Sequence, residues 1–199
     1  MSDLIVETRG LTKYYGKQLI VDSLALKVTK GRIYGLLGPN GAGKSTTLKI
    51  LTGLIRPSGG EVTMFGEPWR REHLRRLGAL VESPALYGNL TARENLSVHT
   101  TLMGLPKGEI DRVLEIVKLL DTGKKLASRF STGMKQRLGI AIALLGQPGL
   151  LILDEPTNGL DPLGIQEFRE LIRSFPAQGI TVILSSHILT EMAQIVDEV

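Results

Sequence analysis

The sequence predicts an α/β fold with a mainly parallel sheet, an N-terminal antiparallel β part and an inserted α-helical subdomain. Three observations carry that prediction. Ile33-Tyr34-Gly35-Leu36-Leu37 is an apolar run followed by a glycine-rich loop and then by helix-forming residues. Leu150-Leu151-Ile152-Leu153 is apolar without alternation, as in a parallel strand buried on both faces. Between them, residues 89–121 turn to helical periodicity.

Composition sets the outer limits. The chain has 199 residues, 42% hydrophobic and 22% charged, enough for a globular unit with a real core. A net charge of +4 suits polyphosphates or anionic headgroups but is too small to imply nucleic-acid binding, and none is expected. Without cysteine there can be no disulfide or thiolate site, and three scattered histidines make no zinc-type cluster. The start lacks a basic region before an apolar core, and the longest apolar tract, 138–145, is far short of the roughly 20 residues that span a bilayer. A soluble, cytosolic chain is expected.

At the N-terminus, Leu4-Ile5-Val6-Glu7-Thr8 and Leu24-Ala25-Leu26-Lys27-Val28 read as strands around a turn at Tyr15-Gly16-Lys17. Tyr14 and Tyr15 could offer a ring face to a base; on local sequence alone, covering a sheet edge is the simpler use. Next comes Gly38-Pro39-Asn40-Gly41-Ala42-Gly43-Lys44-Ser45-Thr46. Strand, G-x-x-x-x-G-K-S and helix together make a phosphate cradle, in which glycines let backbone N–H groups turn inward. The helix starting near Lys44 adds its positive dipole end. Lys44 would reach the β- and γ-phosphates of a nucleoside triphosphate, and the Ser45 hydroxyl would ligate Mg²⁺.

Glu61-Val62-Thr63-Met64-Phe65 alternates as a strand, and 69–76 is a helical stretch whose Arg70, Arg71, Arg75 and Arg76 form a solvated face. Gly78-Ala79-Leu80-Val81 is a short strand ending at Glu82. In the helical part Thr91 and Glu94 make a capping box, and Ile110, Val113, Leu114, Val117 and Leu120 mark one apolar face between Gly108 and Gly123. Ser131 caps a further helix, to about Gly146, whose N-terminus at Thr132 and Gly133 is a second anion site or an ordinary capped end.

Asp154 and Glu155 follow the apolar strand, at the edge where ligands bind in open α/β sheets. Asp154 would orient Mg²⁺ through its waters, opposite Ser45. Glu155, pointing the other way along the pleat, could take a proton from water attacking the γ-phosphate. Asp161-Pro162 starts a helix with Phe168, Leu171, Ile172 and Phe175 on its core face. Ile180-Thr181-Val182-Ile183-Leu184 is another buried strand, and His187 ends it near a γ-phosphate position.

Together these segments resemble the nucleotide-binding subunit of an ATP-binding-cassette (ABC) transporter over essentially the whole chain. The resemblance implies one domain, 1–199, with a P-loop NTPase core and β part (1–82 and 135–199) and a helical subdomain at about 83–134. It implies that Tyr15 stacks on adenine, that 38–46 and 151–155 are the Walker A and B segments, that 158–161 is the D-loop and that His187 is the switch histidine. Two such subunits would close head to tail on two ATP molecules with Mg²⁺, each triphosphate shared between Lys44 of one and Ser131-Thr132-Gly133 of the other. A coupling helix of a separate membrane permease would enter near Glu82, leaving the subunit cytoplasmic and peripheral on the inner face of the membrane. Soluble relatives that act on ribosomes or DNA are the alternative.

Two positions depart from the family pattern. The signature reads Phe130-Ser131-Thr132-Gly133, where Leu-Ser-Gly-Gly is usual. Glu82 stands where glutamine is usual and is expected at the nucleotide as a Mg²⁺ ligand with Ser45 and Asp154; its negative charge beside the metal and the attacking water implies a changed metal dependence. Glu82 with Ser83-Pro84-Ala85-Leu86-Tyr87 and Asn89-Leu90-Thr91 is similar to the bacterial branch that includes lantibiotic-immunity and bacitracin-resistance transporters. Family members usually continue past Asp197, so a shortened chain is expected.

Overall fold

The computed structural model describes residues 3–198. In chain order its strands and helices are β1 (Leu4–Tyr15), β2 (Gln18–Leu24), β3 (Lys27–Thr29), β4 (Ile33–Leu37), α1 (Lys44–Leu51), β5 (Gly59–Met64), β6 (Glu67–Pro68) and β7 (Leu77–Leu80). They continue as α2 (Ala92–Met103), α3 (Gly108–Ile116), α4 (Thr132–Ala143), β8 (Leu150–Leu153), α5 (Pro162–Ser174), β9 (Thr181–Ser186) and α6 (Leu189–Met192). No helix among the described residues is long and apolar enough to cross a membrane.

Two sheets result, as expected. One is antiparallel, in the order β2-β1-β5-β6 with β3 also pairing β1. The other is parallel, in the order β4-β9-β8-β7. β8 and β9 lie inside it and are buried at every residue, which is why their sequences do not alternate. The two sheets meet over a core that includes Val6, Leu26, Leu48, Met64, Ile152 and Ile183. The helical part packs through Leu96, Val113, Leu138 and Leu144 into a second core against the parallel sheet. Helix α4 comes so close to β7 that a Cβ on Gly78 would lie 1.9 Å from the Ala143 carbonyl oxygen.

Several sequence expectations need correction. β1 runs on to Tyr15 because register shifts and Gly10 (φ 58°) let it bend from one partner to another. The expected strand at 24–28 is two, since Leu26 leaves the ladder and drops into the core at 1% exposure. Only Arg71–Arg76 of the expected 69–76 helix is helical, as a 3₁₀ segment. Its arginines are exposed as expected, although the Arg76 guanidinium lies 4.0 Å from the Phe65 ring centroid. Helix α3 stops at Ile116, and Lys118 at φ 56° turns the chain so that Leu120 is exposed. Helix α4 ends at Ala143, before Gly146. The capping box at Thr91 and Glu94 forms as expected.

A polar network ties the end of α4 to α3. Arg112 Nε and Nη2 donate to both carboxylate oxygens of Glu109 at 2.9 and 2.7 Å, and Nη2 also donates to the Leu144 carbonyl at 2.9 Å. Gly146 N–H and Gln147 Nε2 donate to the same carboxylate, each at 3.2 Å. A carbonyl left over at the α4 C-terminus thus meets a cation. The Arg112 hydrogen bond, ahead of the opposing effect of burial, lowers the Glu109 pKa from its ordinary value. A depressed native pKa means the stabilisation is present above the unfolded value and is lost as pH falls through the native one. Glu109→Gln should cost about 1–3 kcal/mol at neutral pH. In denaturant titrations that deficit should shrink on acidification through the carboxylate range; a deficit independent of pH would show that charge is not what the network uses.

Candidate active site

The expected loop-to-helix transition forms at Lys44, where α1 begins. Gly43 sits at φ 84°, and a Cβ there would lie 2.7 Å from the Ile20 carbonyl oxygen of β2. Gly41, at φ 86°, has open space where a Cβ would point, and 39–42 are exposed. That combination leaves a backbone cradle facing solvent, closed behind by β2. Gly38 and Thr46 are partly buried at its two ends.

Lys44 is buried, and its ammonium donates to the Gly38 carbonyl at 2.7 Å and the Pro39 carbonyl at 3.2 Å. It also lies 3.2 Å from Glu155 Oε1. Ser45 Oγ donates to Asp154 Oδ1 at 3.0 Å. Glu155 Oε2 is 2.8 Å from His187 Nδ1. The structure therefore brings Lys44, Ser45, Asp154, Glu155 and His187 together, across 109 residues of sequence in the Ser45–Asp154 pair. Glu155 reaches its place by a turn at φ 46°, not by pleat alternation, because β8 has already ended at Leu153. A non-glycine residue held in the left-handed region is strained, as often happens where function fixes a side chain.

Ser185 completes this group and was missed from sequence. Its hydroxyl donates to Asp154 Oδ1 at 2.6 Å and accepts from the Glu155 N–H at 2.8 Å. It holds one carboxylate by the side chain and the other by the backbone. The available signal was a serine closing an apolar run that reads as a buried strand, where a hydroxyl must find partners; it is fully buried.

The other expected residues lie outside this hydrogen-bonded group. Ser131 and Thr132 are exposed, with Ser131 capping α4 through the Met134 N–H at 3.2 Å. With Gly133 and Asp161 they line a cavity of about 360 Å³ that does not include residues 38–46. Asp161 caps α5, accepting the Gly164 N–H at 2.8 Å. Tyr15 is half exposed at the end of β1, with Lys13 Nζ 5.2 Å from its ring centroid. Glu82, at φ 68°, pairs with Lys49 at 2.5 Å; its partner is neither Ser45 nor Asp154. The Lys49 hydrogen bond holds the Glu82 carboxyl below its ordinary pKa.

The donors suit a hard cation bound largely by its ligand. Ser45 and Asp154 offer two oxygens 3.0 Å apart, and no group of three or more His, Asp or Glu side chains that could hold a metal occurs among the described residues. Mg²⁺ fits so sparse a protein set, because it keeps waters and takes substrate phosphates.

The ABC transporter family profile matches residues 21–158. The chain is 56% identical over 200 residues to the bacitracin transport ATP-binding protein BcrA of Bacillus licheniformis, with 98% of this chain aligned. It spans 65% of the length of that relative. It is 49% identical to the lantibiotic transport ATP-binding protein SrtF of Streptococcus pyogenes, over 97% of this chain and 84% of the relative. Among solved structures, cbiO1 of Clostridium perfringens, part of the ABC transporter complex cbiONQ, superposes with a TM-score of 0.88 at 28% identity, covering 98% of this chain and 83% of that one. An ATP-binding subunit of an ABC transporter gives 0.83 at 34% identity, covering 97% and 83%. With the family profile on more than half of its residues and relatives of this identity along nearly its full length, the chain belongs to the ABC transporter ATP-binding family.

Proposed function

We propose that the chain binds ATP with Mg²⁺, hydrolyses it, and so powers a separate membrane permease that exports, or protects against, a peptide antibiotic of the bacitracin or lantibiotic kind. The observation that carries the ATPase reading is the convergence of Lys44, Ser45, Asp154, Glu155 and His187 at one edge of the parallel sheet. Residues 38–43 would cradle the phosphates, and Lys44 would exchange its loop carbonyls for phosphate oxygens. Ser45 and Asp154 would hold the metal, Asp154 through waters. Magnesium, when bound, would neutralise charge on the triphosphate oxygens. Glu155 would accept the proton of the attacking water, with His187 fixing one carboxylate oxygen and Ser185 the backbone behind it.

The partner assignments rest on placement. Ser131, Thr132, Gly133 and Asp161 line a cavity to which residues 38–46 do not contribute, so they would serve the triphosphate carried by a second copy closing head to tail. Tyr15, half exposed beside β2, would stack on adenine. Glu82 would stand near the entry of a permease helix, with the subunit peripheral on the inner face of the membrane. The substrate class follows the bacitracin and lantibiotic relatives.

The test is a gene deletion in the native host. Sensitivity to bacitracin or to a lantibiotic should rise, and the Glu155→Gln form should not restore protection. Unchanged sensitivity to both would remove the substrate assignment while leaving the ATPase assignment to be judged by hydrolysis.

A further inference from the structure

We propose that Lys49 is a positioning residue of the nucleotide site, cancelling the charge of Glu82 and pinning that carboxylate to the flank of α1. This rests on the ATP reading above and asks how the site tolerates an acid at residue 82.

Lys49 is four residues after Ser45 on α1, one turn along on the same face. Its ammonium meets Glu82 Oε1 at 2.5 Å. Glu82 lies two residues past β7, whose last residue, Leu80, accepts the Asp154 N–H at 2.9 Å. Glu82 therefore belongs to the same sheet edge as Asp154 and Glu155. Unpaired, it would be a third carboxylate at an edge that must receive a polyanion, and like charge there opposes binding. The Glu82 side chain is 68% exposed and that of Lys49 30%, so the pair adds little to folding. Its effect on the ligand can be read apart from stability.

The experiment is calorimetric titration of ADP with Mg²⁺ into the full chain and four variants, with thermal unfolding as a control on fold. Lys49→Gln should weaken Mg·ADP binding by about three- to fivefold at low ionic strength, and by less at high salt. Lys49→Arg should stay near the unsubstituted chain. Glu82→Gln should bind equally or more tightly, and Lys49→Gln/Glu82→Gln should return to within about twofold of the original. Unfolding temperatures should be nearly unchanged throughout. Unaltered binding in Lys49→Gln would overturn the proposal. So would a loss that persists in the double variant, since Lys49 would then be contacting the nucleotide itself. Weakened binding in Glu82→Gln would make Glu82 a ligand and overturn it too. If the unsubstituted chain bound no Mg·ADP, the nucleotide reading would fall first and this one with it.

Discussion

Glu155→Gln should reduce steady-state ATP hydrolysis by about 10²- to 10⁴-fold while leaving ATP affinity within about threefold of the original. The substitution keeps the shape of the side chain. It also keeps a carbonyl oxygen for one of the two contacts, to Lys44 at 3.2 Å or His187 at 2.8 Å. What it removes is the capacity to take a proton, the role proposed for Glu155. Binding should survive because the phosphate loop and Lys44 are untouched. Phosphate release and equilibrium ATP binding measured on the same preparation separate the two effects. Near-normal turnover would take Glu155 out of the proton-accepting role, and equal losses in binding and turnover would make it a ligand rather than a base.

Lys44→Ala should lower kcat/KM by at least about 10³-fold, the loss falling on binding and turnover together. The Lys44 side chain is 8% exposed and already bonded to two loop carbonyls and a carboxylate, so its ammonium is held close to where phosphates would lie. Charge-assisted hydrogen bonds to phosphate from such a site are worth about 1.5–3 kcal/mol, or roughly 10- to 100-fold in affinity. The remainder should appear in kcat, because charge on the transferring group would lose its nearest cation. Arginine is a poor substitute: its planar fork replaces a compact point charge in a pocket closed by Gly38 and Pro39. A kcat/KM within tenfold of the original would show that Lys44 does not face the triphosphate.

The parts of the fold legible in the sequence were those with one dominant physical cause. The unalternating run at Leu150–Leu153 reads as a strand covered on both faces, and it is buried at all four residues. The box at Thr91 and Glu94 had to cap a helix, and its reciprocal hydrogen bonds form. Elements failed where tertiary packing outvoted local pattern. Leu26 looked like part of a continuous strand, but the core takes it at a point where the ladder breaks. Leu120 fitted the period of α3, but a left-handed turn at Lys118 comes first, and no residue type announces it. At the site, the motif residues were legible by their spacing. Ser185 and Lys49 were not, because a serine in a strand and a lysine in a helix carry no motif. Their partners, Asp154 and Glu82, lie 31 and 33 residues away in sequence. Glu155 was assigned to the correct edge for an incomplete reason, since a strained turn and not the pleat aims it.

The most direct measurement is a calorimetric titration of ATP into the full chain, with and without Mg²⁺, beside the Lys44→Ala form. The expected result is one ATP per chain, bound more tightly with magnesium and weakened by roughly 10- to 100-fold without the ammonium. No binding by the unsubstituted chain, or binding indifferent to both magnesium and Lys44, would contradict the assignment of Lys44, Ser45 and Asp154 to a single magnesium–triphosphate site.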